Sequence, residues 1–147
     1  MNKNEMVSSL NEIIKHERKH FNFYLQALMT IKGAERQYLK PLLEAEMNGE
    51  LSHIRMFGDK VVAYGGLPTT ECLSYPSNCQ TGTQVLGAAI EMERAVLVEY
   101  HNLYPKAEDF ALLNADMSVV LMLEENIEHT TADVEEMEKI LHALTNT

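Results

Sequence analysis

The sequence predicts an all-α fold, a four-helix up-down-down-up bundle with a long crossover between helices two and three. Three observations carry this. Apolar residues recur at spacings of four and three in four separate stretches, no stretch alternates with the period of two that a strand needs, and the middle link is far longer than the other two. Helices joined by short links lie antiparallel, whereas a link long enough to run the length of a bundle lets the next helix point the same way as the last.

The first helix is expected from about Lys3 to Lys32, with Leu10, Ile14, Glu17, Phe21, Tyr24, Leu28 and Ile31 forming its stripe. The second, from about Pro41 to Tyr64, repeats the pattern with Leu43, Met47, Glu50, Ile54, Phe57, Val61 and Tyr64, and opens on a proline, which is well suited to a first turn. Residues 66–82 are rich in Gly, Pro, Thr, Ser and Asn and lack periodicity, as a crossover should be. The third helix, about Thr83 to Leu103, carries Leu86, Ile90, Glu93, Leu97, Tyr100 and Tyr104 before Pro105 breaks it. The fourth runs from about Ala107 or Leu112 to His142 on a face of Val120, Leu123, Ile127, Val134, Met137 and Leu141.

Length and composition agree with a single domain spanning residues 1–147. The chain has 147 residues with 46 % hydrophobic and 23 % charged side chains, which is globular and excludes a disordered or disulfide-dense class. A net charge of −10 argues against nucleic-acid binding, since no basic patch offers counterion release. No apolar run reaches the roughly 18 residues that a membrane span needs. The N-terminus has no signal-peptide core, so a cytoplasmic location is expected. Cys72 and Cys79 are expected as reduced thiols, at a spacing that allows a reversible disulfide without demanding one. The nine methionines read as packing, and the Glu135, Glu136, Glu138 cluster as a solvated face.

Glu17, Glu50 and Glu93 each occupy a stripe position otherwise held by an apolar residue. A buried, unpaired carboxylate is costly, and three of them near the middles of three helices would share one layer of the bundle, where a bound cation is the simplest compensation. Glu50-Leu-Ser-His53 adds an imidazole one helical turn away on the same side, and His129 offers a second from the fourth helix. His20 makes another Glu-x-x-His with Glu17 and could face the same cavity, whereas His16 and His101 read as surface residues.

With these residues the sequence resembles the ferritin-like di-iron proteins of the bacterioferritin and Dps-like type. That family places a glutamate on its first and third helices and Glu-x-x-His on its second and fourth. Glu17 with Tyr24, Glu50 with His53, Gly66-Leu67-Pro68, Glu93 and His129 match in order. The resemblance implies two irons per subunit, with Glu17 and Glu93 as terminal ligands, Glu50 as a bridge, His53 and His129 each on one metal, and Tyr24 hydrogen-bonded near the site with a role in electron transfer. It also implies Fe(II) and dioxygen or hydrogen peroxide as reactants, ferroxidase activity, a role in iron storage or detoxification, and a homo-oligomeric cage.

Two positions depart from the family pattern. Asn126 stands where the family has its second bridging glutamate, and a neutral amide bridges poorly, so one tight and one labile iron are expected. Glu125, about 40° from His129 around the helix, is the alternative candidate ligand to Asn126, although it sits further from the apolar face. Leu51 replaces the methionine of haem-binding members, so no haem is expected. Only 18 residues follow His129, which favours a dodecamer or smaller assembly over a 24-subunit cage. The alternatives to storage are a di-iron oxidase or peroxidase that is not a cage, and a non-metallic helical interaction module whose glutamates face solvent.

Overall fold

The computed structural model describes residues 1–146 and contains four helices. They are α1 (Lys3–Thr30), α2 (Arg36–Ala63), α3 (Gly82–Asn114) and α4 (Ser118–Thr145). Among the described residues there is no strand, and no helix is long and apolar enough to cross a membrane.

The N-terminus of α1 is capped by Asn2, whose side-chain oxygen accepts from the Glu5 amide at 2.9 Å. Its other end is tied to α2 by Arg36, which donates to the carbonyls of Leu28 and Ile31 at 2.8 and 2.9 Å. The α1–α2 turn is therefore fixed ahead of Pro41, and α2 begins at Arg36 rather than at the proline. Pro41 lies inside the helix, exposed, between the buried Leu39 and Leu43. Burial of those two side chains offsets the one backbone bond that the proline removes.

The crossover lies along α1, where polar side chains about one or two turns apart bind it in succession. Asn11 donates to the Leu67 carbonyl and accepts from the Thr69 amide, and Arg18 donates to the Thr69 carbonyl. Gln26 then donates to the Ser77 carbonyl and Thr30 to that of Cys79. The segment thus starts beside the first turns of α1 and ends beside its last, so α3 must start where α1 ends. This makes α2 and α3 parallel to each other and gives the up-down-down-up order. Gly82 closes the segment because an added Cβ there would lie 2.9 Å from Leu39 and 3.2 Å from both Glu35 and Leu144. Thr81 and Gln84 form a capping box at the start of α3. Both cysteines are free thiols, with Cys72 exposed and Cys79 buried.

The third helix does not stop at Pro105. It continues to Asn114, since Leu103, Ala107, Phe110 and Ala111 extend the buried stripe while the proline ring faces solvent. Residues 107–114, expected to open the fourth helix, therefore belong to α3. The α3–α4 turn passes through Ala115 in the left-handed region at φ 51°. Asp116 fixes it, accepting from the Ser118 amide at 3.0 Å and from the Tyr64 hydroxyl at 2.6 Å.

The buried apolar side chains form two clusters. One holds Met6, Leu10, Ile14, Phe57, Val96, Tyr100, Phe110 and Leu123, and the other Phe23, Tyr24, Leu39, Leu43, Leu86, Met92, Val134 and Met137. Along each helix the switch from one cluster to the other falls at the same level, and there sit the buried polar residues Glu17, His20, Glu50, Glu93, Asn126 and Thr130. Because Pro105 costs α3 a backbone bond on a solvent face, Pro105→Ala is expected to raise stability by about 1–3 kcal/mol. Thermal denaturation checks this, and an unchanged or lower melting temperature contradicts it.

Candidate metal centre

The three stripe glutamates converge. Glu17 is fully buried, Glu50 and Glu93 are within a few per cent of it, and His20, one turn beyond Glu17, is fully buried as well. Their ligand atoms form two groups that share Glu50. In one, Glu17, Glu50 and His53 come together, with His53 Nδ1 3.2 Å from Glu17 Oε2 and 3.5 Å from Glu50 Oε2. In the other, His20 Nδ1 lies 3.3 Å from Glu93 Oε1 and 3.7 Å from Glu50 Oε1. Both ring nitrogens of His20 and Oε2 of Glu50 are buried with no hydrogen-bond partner. Oxygen and imidazole donors without thiolate suit iron, manganese or zinc, and the orphaned atoms point to ligands awaiting an ion, so the residues present fit a pair of such ions.

Two tyrosines hold Glu17 and Glu93 from opposite helices. Tyr24 on α1 donates to Glu93 Oε1 at 2.8 Å, and Tyr100 on α3 donates to Glu17 Oε1. By spacing alone Tyr100 belongs to the apolar stripe of the third helix. The signal that marks it is a repeated spacing, since Tyr24 follows Glu17 by seven residues as Tyr100 follows Glu93. Seven residues are two turns, so each tyrosine shares a helix face with its own glutamate and reaches the one on the other helix.

The α4 residues are arranged differently. Asn126 is buried and faces the layer with its amide nitrogen unpartnered. Glu125 is exposed and belongs to neither group. The His129 side chain is 57 % exposed, with Nε2 3.2 Å from Asp133 Oδ2 and its ring edge-on to His53 at 6.1 Å. It too is outside both groups. Glu125, Asn126 and His129 instead line a cleft of about 590 Å3 between α4 and α2, whose opposite wall includes Ser52, His53 and Met56. His53 is thus the one member of the two groups that lines this cleft. Of the remaining histidines, His101 is exposed as expected, whereas His16 is half-buried.

Protons shared among these side chains compensate the buried charge of the layer. Burial opposes ionisation of Glu17, yet the protons of the neighbouring Glu50 and His53 outweigh it and hold its carboxyl down at about 2. Burial, and then the charges of Glu17 and Glu93, push Glu50 well above the ordinary carboxylate range. Burial disfavours charging His53, but the Glu17 and Glu50 carboxylates win and raise it to about 10. A further pair went unnoticed in the sequence. Glu46 on α2 is half-buried beside Asp133 on α4, and burial followed by the Asp133 charge pushes Glu46 up to about 9. The site therefore retains protons at neutral pH, and cations that enter must displace them.

Fold and site together define a four-helix bundle with a candidate carboxylate-and-histidine metal centre. A Ferritin-like domain model matches residues 7–146, and the chain belongs to that family. Among solved structures it is similar to a ferritin-like, diiron-carboxylate protein from Bacillus anthracis str. Ames, with 29 % identity, a TM-score of 0.84, and 95 % of this chain and 96 % of that one covered. It also shares its fold with Rhodobacter capsulatus bacterioferritin, described with a metal-free dinuclear site and a haem iron, at 14 % identity, a TM-score of 0.79, and 97 % and 87 % coverage. No curated protein matches the sequence. The chain thus has a ferritin-like diiron-carboxylate fold.

The retained protons set the pH dependence of the metal-free protein. Glu46 ionises near 4.5 when unfolded and near 9 when folded, so between those values the unfolded chain sheds a proton that the fold keeps. His53, near 6.5 unfolded and about 10 folded, contributes stability that is full below 6.5 and lost as pH climbs through 10. Both terms have one sign. Metal-stripped protein is expected to lose roughly 2 kcal/mol or more between pH 6 and pH 9.5 in urea denaturation, and Glu46→Gln to flatten that slope. A stability that rises over this range contradicts the assignment.

Proposed function

We propose that the protein binds Fe(II) at Glu17, Glu50, His53 and Glu93 and oxidises it with dioxygen or hydrogen peroxide, in iron storage or detoxification. The observation that carries this reading is the convergence of three buried carboxylates and a histidine in a polar layer sealed between two apolar clusters. Such a layer is expensive to fold and gains nothing for packing, so its use is to hold cations.

Two iron ions held there would each supply one electron, so an oxidant could take up two electrons without release of a radical. The chain's own part is to position and to manage protons. Glu17 and Glu93 would each hold one ion, and Glu50, common to both groups, would serve both. Tyr100 and Tyr24 position these two carboxylates by each donating to Oε1, with Glu17 Oε2 turned to His53 Nδ1. Tyr24, fully buried against Glu93, is a positioning residue and lies close enough to serve in electron transfer. Protons displaced from Glu50 and His53 on loading leave past the exposed His129, which pairs with Asp133 at the cleft. The same cleft admits Fe(II), drawn by the acidic Glu125 and Glu128 along its wall. Assembly into a homo-oligomeric cage in the cytoplasm completes the storage reading.

A second reading is a di-iron oxidase or peroxidase that retains its metals and acts on a small substrate. The α2–α4 cleft favours it, being large enough for a compact organic molecule and reaching His53. Size-exclusion chromatography separates the two, since a cage elutes at many times the 16.7 kDa of the chain and an enzyme of this kind as a monomer or dimer. For the chemistry itself, Glu17→Ala and His53→Ala are each expected to slow formation of ferric product from Fe(II) in air by about tenfold or more. Tyr24→Phe is expected to slow it by a smaller factor while leaving the number of bound ions unchanged. Rates equal to the unmodified protein in the first two variants would overturn the proposal.

A further inference from the structure

We infer that His20 on α1 is a ligand of the second metal, and that this site is built by α1, α2 and α3 without any ligand from α4. The inference rests on the metal-binding reading above and concerns which side chains complete it. Fully buried, His20 has no hydrogen-bond partner at either ring nitrogen, and its Nδ1 stands 3.3 and 3.7 Å from oxygens of Glu93 and Glu50. A buried imidazole whose nitrogens lack hydrogen-bond partners is a costly thing for a core to keep, and a metal between Nδ1 and those carboxylates removes the cost at that nitrogen.

The α4 candidates fail on position. His129 points into the cleft, more than half exposed and paired with Asp133, and Glu125 is exposed beside it. Asn126 faces the layer but brings no charge, and its amide nitrogen remains unpartnered. The chemistry lost from α4 reappears on α1, because Glu17-x-x-His20 repeats the spacing of Glu50-x-x-His53. Each ion then meets one histidine, one terminal glutamate and the shared Glu50: His53 with Glu17 on one side, His20 with Glu93 on the other. Equal donor sets predict two ions of comparable occupancy, in place of the tight-and-labile pair that Asn126 suggests when the sequence is read alone. His129, released from ligation, remains a mouth residue of the cleft.

The test is anaerobic equilibrium dialysis of the full chain against Co(II), with anomalous diffraction from Co(II)-soaked crystals of the unmodified protein. The unmodified chain and His129→Ala are each expected to bind two ions, and His20→Ala one, with the second restored by added imidazole. In the crystal, one of two peaks of similar height is expected to be bonded to a His20 nitrogen. Loss of an ion in His129→Ala, or a second peak bonded to His129 with His20 free, overturns the inference while leaving the metal-binding reading intact. Both of those measurements hold even if His20→Ala does not fold. An unmodified chain that binds no ion overturns the metal-binding reading and this inference with it.

Discussion

The structure is governed by the cost of placing three carboxyl groups between two apolar clusters. Burial, and then the charges of Glu17 and Glu93 beside it, oppose ionisation of Glu50 in this layer. The protein answers with protons and hydroxyls. Glu50 and Glu46 stay protonated well above the usual carboxylate range, His53 is charged against Glu17, and two tyrosines donate into the cluster from opposite helices. Under the metal-binding proposal, a layer so compensated would exchange its protons for divalent ions.

The topology follows from a second, ordinary set of contacts. Polar side chains of α1 carry the crossover from Leu67 to Cys79, which decides where α3 starts and in which direction it runs. That direction places Glu93 against Tyr24 and Tyr100 against Glu17, so a surface ladder of modest hydrogen bonds sets the register of the buried site. The α2 and α4 helices make no comparably close approach to each other, and the cleft between them reaches the layer at His53.

Much of this was legible in the sequence. A carboxylate at a stripe position, three times over on three helices, marks the layer because helical periodicity alone fixes which face a residue occupies. Prolines misled, since Pro41 and Pro105 read as boundaries although each sits on a solvent face of a turn anchored by buried neighbours. Periodicity also fails to tell His53 from His129. Both lie three residues after a buried polar residue, about 60° around the helix, and whether that offset is covered or open depends on the neighbouring helix. His53 reaches the edge of the cleft but is largely covered and turned to Glu17, whereas His129 stands open in the cleft. The Glu46–Asp133 pair joins distant parts of the chain and is visible only once α2 and α4 are packed.

The most direct measurement is a calorimetric titration of metal-stripped protein with Fe(II) under anaerobic conditions, repeated in two buffers of different ionisation enthalpy. Saturable binding with net release of protons is the result that follows from a proton-compensated metal layer. No saturable binding, or binding without proton release that persists in Glu50→Gln, would contradict it.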